Sequence, residues 1–255
     1  MTGAFRTWSA AVVCALLLGL VVWGFCAMPP FGHYPGPYGN IIDNVASTER
    51  KLPNAISAVN FDYRGVDTMG EEYILFAAVA GITMVLRYDR RRATRLPLAP
   101  ANGRSEGRRT DALRAFSLAG IPLVMAFGIY LAIHPHLTPG GGFQGAAMLA
   151  TFVTLTVLGV GYTTFERTTD QERFELGEGI GAGTFAVIGL ITLVISGAFL
   201  ANVMPLGHEG ELFSAGTIPL INTFVALEVF AGFVLMFLEF ARETRVEQEK
   251  EDAPA

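Results

Sequence analysis

Apolar residues gather into six long runs, separated by short polar or glycine-rich stretches. The runs are Trp8–Met28, Met69–Leu86, Phe116–Ile133, Phe143–Tyr162, Ile180–Val203 and Ile218–Phe240. A membrane-spanning helix needs ~20 mostly apolar residues. The second run is at the short end of that range, and the other five fit it easily. The pattern predicts an all-α integral membrane protein of about six transmembrane helices. In the second run, Thr68 and Glu71 have the spacing of a capping box, with Thr68 at the N-cap. Glu72 adds negative charge to that first turn, where the helix dipole favours it.

Composition supports the membrane reading. Charged residues make up 16% of the 255 and apolar residues 51%, with mean hydropathy +0.43. A soluble domain carries ~25% charged residues. The net charge of −5 is small and gives no reason to expect a nucleic-acid partner. Orientation follows from arginine. Arg87, Arg90, Arg91, Arg92, Arg95, Arg104, Arg108 and Arg109 all lie between the second and third runs. The positive-inside rule makes this segment cytoplasmic. Both termini are then cytoplasmic, which suits Arg6, Arg242, Arg245 and Lys250. Residues 29–67, the glycine segment at 139–145 and the loop around His208 fall outside. The first run is longer than a signal-peptide core of ~7–15 residues and reads as an anchor rather than a cleaved leader. Cys14 and Cys26 inside it read as buried apolar fillers.

The chain divides at its basic segment. Residues 1–86 form a two-helix module with a long outer loop. Residues 87–112 are a basic cytoplasmic linker with Pro97, Pro100, Gly103 and Gly107. Residues 113–245 form a four-helix module, and 246–255 a charged tail. Within the outer loop, 54–60 has enough apolar character for a short strand or helix, the other reading being a solvated connector.

Several polar residues interrupt the apolar runs. Glu228 lies near the middle of the sixth. An acid at a helix centre costs roughly 2.5–3.5 kcal/mol on insertion scales, so it normally faces protein or water. It is either a proton or cation relay or an interhelical hydrogen bond that fixes packing. Its neighbours Ala231 and Gly232 are small, which permits close helix approach. Glu178 stands among Gly177, Gly179, Gly181 and Gly183 at the mouth of the fifth run. It either continues a polar path or simply stabilises a helix start. The Gly179–Gly183 spacing also favours helix contact. Asp62, Arg64 and Asp67 read as a local ion-pair cluster, with a cation entry site as the rival. Glu71 and Asp67 join Glu178 and Glu228 as ion-relay candidates. His134 and His136 lie two apart with no third ligand nearby, whereas zinc takes three or four. No metal site, cofactor site or catalytic nucleophile is expected, and hence no enzyme.

The segment from Pro139 through Gly140, Gly141, Gly142, Phe143 and Gln144 to Gly145 is the least ordinary stretch of backbone. Three consecutive glycines at a membrane edge need packing partners for their polar groups. Either Thr138 caps a helix with Pro139 at its first position, or the segment is a re-entrant turn and the helix begins at Phe143. Both readings bring a neighbouring backbone close. Pro122 in the third run predicts a kink.

The stretch Thr138–Ala146, followed by an apolar run, resembles the signature of the B-type subunit of the Mrp-type multisubunit Na+/H+ antiporters. Leu227–Gly232 and Gly177–Gly179 carry the same resemblance, which covers roughly 112–245. Ala146 departs from it, standing where another glycine is frequent. Asn54-Ala55 and Phe61–Glu71 resemble the C-terminal end of the A-type subunit of the same complexes. Related modules occur in membrane-bound hydrogenases. The resemblance implies a small member of a hetero-oligomer of membrane subunits in a lipid bilayer. Na+ and H+ are the implied ions and a bacterial plasma membrane the implied location. The alternative is a membrane-arm subunit of a complex I-related redox complex such as a hydrogenase.

Overall fold

The computed structural model describes residues 3–28, 36–93 and 110–251. Linker residues 94–109 and tail residues 252–255 lie outside the described residues, as does the Pro- and Gly-containing stretch 29–35. The elements are α1 (Gly3–Cys26), α2 (Pro37–Arg50), α3 (Ala55–Ala58), a π-helical turn (Val59–Tyr63), α4 (Gly65–Ala93), α5 (Asp111–Ile133), α6 (Gly142–Val160), α7 (Tyr162–Thr168), α8 (Gln171–Ser196) and α9 (Ile218–Glu251). No strand occurs among the described residues.

The chain is an all-α membrane protein. Five helices are long and apolar enough to span: α4, α5, α6, α8 and α9. The first run forms α1, whose apolar stretch Ala11–Cys26 joins those five as a shorter apolar helix. Residues 1–41 and 42–255 form separate compact units. In the first unit, Cys14 and Cys26 are free and exposed, not buried fillers.

In the second unit α9 is the hub. It packs against α8, α6, α4 and α5, and α5 packs along α6. Over half of its spanning stretch is buried inside the protein, against 11–28% for the other four spans. Those four therefore leave broad apolar faces outward, on α4 (Ile74, Met84), α5 (Phe116, Leu123) and α8 (Val194, Ile195). Glycine makes the closest crossings possible. A Cβ on Gly145 would lie 2.7 Å from the Ala132 nitrogen, and one on Gly128 3.0 Å from the Gly145 carbonyl, so α5 and α6 meet backbone to backbone. α5 runs through Pro122 as one helix, started by Thr110, whose hydroxyl accepts the Leu113 N–H.

Several boundaries differ from the sequence expectation, among them the end of α4, which runs to Ala93 and into the expected linker. α4 starts at Gly65, so Thr68 and Glu71 stand inside the helix instead of capping it. The cause is the π-helical turn, which passes through Arg64 directly into Gly65, where Leu200 lies alongside. α8 starts at Gln171, ahead of its apolar run, so Glu178 is two turns into the helix rather than at its mouth. α9 continues to Glu251, so the charged tail is helical as far as that residue. Residues 54–60 are helical, with the Asn54 side chain capping α3 by accepting the Ile56 N–H.

Candidate functional site

The glycine segment resolves in favour of the turn. Gly140 has φ +138° and Gly141 is the residue before α6. Thr138 caps nothing; its hydroxyl donates back to the His134 carbonyl at 3.2 Å. The Gly142 N–H, left free by the helix start, donates to Asn222 Oδ1 at 2.6 Å. Asn222 Nδ2 in turn donates to the Ala132 carbonyl, also at 2.6 Å. One buried carboxamide from α9 thus ties the end of α5 to the start of α6. The loop of the first module clasps the same segment from the other side. Asn54 Nδ2 donates to the carbonyls of Pro135 (2.6 Å) and Thr138 (3.1 Å), and Ser57 Oγ donates to Pro135. His136 is buried, with Nε2 on the Leu212 carbonyl at 3.0 Å. Burial holds its imidazole below the usual histidine range.

One and a half turns along α9 from Asn222 stands Glu228, 1% exposed, and neither of its carboxylate oxygens has a hydrogen-bond partner among the described residues. Gly181 of α8 makes room for it: a Cβ there would lie 2.6 Å from Glu228 Cβ and 2.7 Å from its nitrogen. The close contact on α8 is therefore made at Gly181, with Gly177 on the same face at ordinary van der Waals distance from Leu227 and Ala231. The expected Gly179–Gly183 pair faces open space, with no neighbour within 4 Å of a Cβ at either position.

Two more buried glutamates flank Glu228. Glu72 on α4 is 5% exposed and Glu178 on α8 is 7% exposed, each with an unpartnered oxygen. The charge of Glu228 acts on Glu72, that of Glu178 on Glu228, and that of Glu175 on Glu178. The three buried carboxyls therefore form a series through the bundle, and the charges acting on them are acidic throughout. Glu72 carried no site role in the sequence. The signal was there once the helix start was known: Thr68, Glu72 and Val79 share one buried face of α4 at helical spacing. Glu71, one residue away, is exposed.

At the glycine-turn end a cleft of about 320 Å3 opens between α4, α3 and the start of α6. Thr68, Glu71, Glu72, Gly141, Gln144 and Val225 are among its walls. Asp67 is not; it pairs with Arg64 at the surface. Asp62 leaves the expected cluster and pairs with Arg50 at 2.5 Å, while accepting from Asn202 at 3.1 Å. Close by, burial and a hydrogen bond to Glu49 push the Tyr63 phenol up to about 12.

The opposite end is polar and paired. Glu239, fully buried on α9, accepts from Gln171 Nε2 at 3.1 Å. Arg242 donates to Gln171 Oε1 (2.5 Å) and Glu166 (2.8 Å). Nearby, burial and the charge of Glu166 push the Tyr162 phenol up to about 12. Exposed acids at 170, 172 and 175 line a second, shallower opening beside this network. Among the described residues no group of three or more His, Cys, Asp or Glu is arranged to hold a metal.

A multi-helix bundle with apolar outer faces and helices joined through polar and glycine contacts defines a polytopic membrane protein. Residues 112–235 match the family model described as a domain related to the MnhB subunit of Na+/H+ antiporter. The chain is 29% identical over 232 residues to an uncharacterised protein of Methanocaldococcus jannaschii, covering 86% of this chain and 87% of that one. Two solved complexes contain similar chains. One is the membrane-bound sulfane sulfur reductase, an archaeal respiratory membrane complex (TM-score 0.67, 27% identity, 92% of this chain and 98% of that one). The other is the Mrp complex from Dietzia sp. DQ12-45-1b (TM-score 0.66, 20% identity, 94% of this chain). The chain spans only 26% of the matched Mrp chain, and that likeness concerns the fold.

Proposed function

We infer that this protein is a membrane subunit of a multisubunit monovalent cation/proton antiporter, contributing both to assembly and to the ion path. Its working ions are Na+ and H+, and its setting is the plasma membrane, with the arginine-rich linker cytoplasmic and the glycine turn outside. The observation that carries the reading is Glu228. An ionised carboxylate held in a low-dielectric interior without partners costs several kcal/mol. It is retained where it exchanges a proton or cation, and intramembrane acids that face the bundle interior mark such paths. In this orientation Glu72 lies toward the outside, Glu228 at mid-depth and Glu178 toward the cytoplasm. Those three carry the relay. Glu71 lines the approach to it, while Asp67, paired with Arg64, stands aside.

Glu228→Gln in the assembled complex tests this. The variant keeps the size and loses the titrating group, so Na+/H+ exchange in everted vesicles should be abolished while the complex still runs intact on a native gel. Normal exchange would reduce Glu228 to a packing role. A second reading is supported by the sulfane sulfur reductase likeness, which covers nearly the whole of both chains. In it the same protein serves a redox-driven complex, with electron transfer elsewhere moving the ions. Co-purification with subunits bearing iron–sulfur ligands would favour that assembly.

A further inference from the structure

The cleft at the glycine turn differs from an ordinary surface groove in what lies at its base. Glu72 lines the cleft while only 5% exposed, and one of its oxygens has no partner among the described residues. Glu71 lines the cleft from the same helix, and Gln144 from the first turn of α6. The Gln144 carbonyl oxygen lies over Gly141, where a Cβ would approach it to 2.8 Å. No lysine, arginine or histidine is among the lining residues. At about 320 Å3 the cleft is large enough for several waters. Carboxylate, carbonyl and water oxygens are the ligands of hard cations, and acidic side chains around an opening select cations.

We propose that this cleft is a binding site for a partly hydrated monovalent alkali cation, with Glu72 as its charged ligand and Gln144 as a neutral one. The glycines at 140–142 serve the site by keeping its wall free of side chains. The site joins both halves of the chain, since Glu72 comes from α4 and Gln144 from α6. The proposal rests on the ion-path reading above: a cation held at Glu72 is positioned to be handed inward to Glu228, whose charge reaches Glu72.

The assembled complex, purified and reconstituted, provides the test. Sodium binding is read from 23Na line broadening, and exchange is read as a function of external NaCl against a choline chloride background. Glu72→Gln should raise the half-saturating Na+ concentration about tenfold, as expected for removing a charged oxygen ligand, and should lower the maximal rate too, because Glu72 also belongs to the relay. Glu72→Asp should restore most of the binding. Gln144→Leu, at an exposed position where folding is not at stake, should weaken binding to a smaller extent. Glu228→Gln should lose exchange yet still broaden the 23Na line. Unchanged half-saturation and unchanged 23Na broadening in Glu72→Gln, whatever the maximal rate, would overturn the cation site. If Glu72→Gln failed to assemble, unchanged binding in Gln144→Leu would overturn it instead. Loss of the relay reading has a separate signature: Glu228→Gln exchanging normally while Glu72→Gln still weakens Na+ binding.

Discussion

Asn222 and Glu228 stand six residues apart on one helix and are equally hidden, at 0% and 1% exposure. They are opposite in kind. Asn222 has its oxygen on the Gly142 N–H and its amide on the Ala132 carbonyl. Glu228 has neither oxygen partnered among the described residues. A buried polar group that is fully bonded fixes a structure. A buried acid without partners is expensive and persists for a use. Further along, Glu239 is buried like both of them, but Gln171 and Arg242 hold it, so it belongs with Asn222. Along one helix, then, two bonded polar groups flank an unbonded one, the proposed exchange point. Burial alone does not separate them; partner accounting does.

The comparison breaks first at the joint. Asn222→Leu preserves volume and strands two buried backbone groups, the Gly142 N–H and the Ala132 carbonyl. At about 1–3 kcal/mol for each orphaned group, the loss is about 2–6 kcal/mol. The expected outcome is poor incorporation into the complex and a lower unfolding midpoint, followed by circular dichroism in detergent. Stability equal to that of the unsubstituted protein would show that Asn222 is no more structural than Glu228. By contrast Glu228→Gln, which strands no backbone group, should change the unfolding free energy by no more than about 1 kcal/mol and remove exchange.

The next test probes the wall beside the exchange point. In Gly181→Ala the new methyl meets Glu228 Cβ, the Glu228 nitrogen and the Phe224 carbonyl at 2.6–2.8 Å. Backbone cannot rotate aside as a side-chain tip can. Overpacking of this kind costs about 1–3 kcal/mol, and it pushes α8 away from α9. Both stability and exchange should fall. A variant that lost exchange at full stability would place Gly181 within the path rather than beside it.

Much of this was legible beforehand. The apolar runs located five spans because hydrocarbon thickness sets helix length, and an acid in mid-run exposed Glu228. The helix starts were not legible. The residues at 68 and 71 have capping-box spacing, but the π-helical turn before them begins α4 at Gly65. That shift puts Glu72 on the inward face with Val79 and leaves Glu71 exposed, so the capping-box spacing drew attention to Glu71 and not to its buried neighbour. Asn222 went unseen because its partners are 80 and 90 residues away in the chain. Gly177/Gly181 and Gly179/Gly183 have identical spacing, and only the direction in which α8 faces α9 separates them.

That last ambiguity supplies the mildest and most specific test. Gly179→Ala places its methyl where no atom lies within 4 Å. Alanine favours a helix over glycine by ~1 kcal/mol, so this variant should be as stable as the parent or slightly more so, with exchange unchanged. Two positions away, the same substitution at Gly181 should do harm. Because the two changes share chemistry and helix, a difference between them can come only from the face each presents. Equal behaviour of the pair, measured as unfolding midpoint and exchange rate in one preparation, would mean that α8 does not meet α9 through Gly181. The pocket of space around Glu228 would then need another explanation.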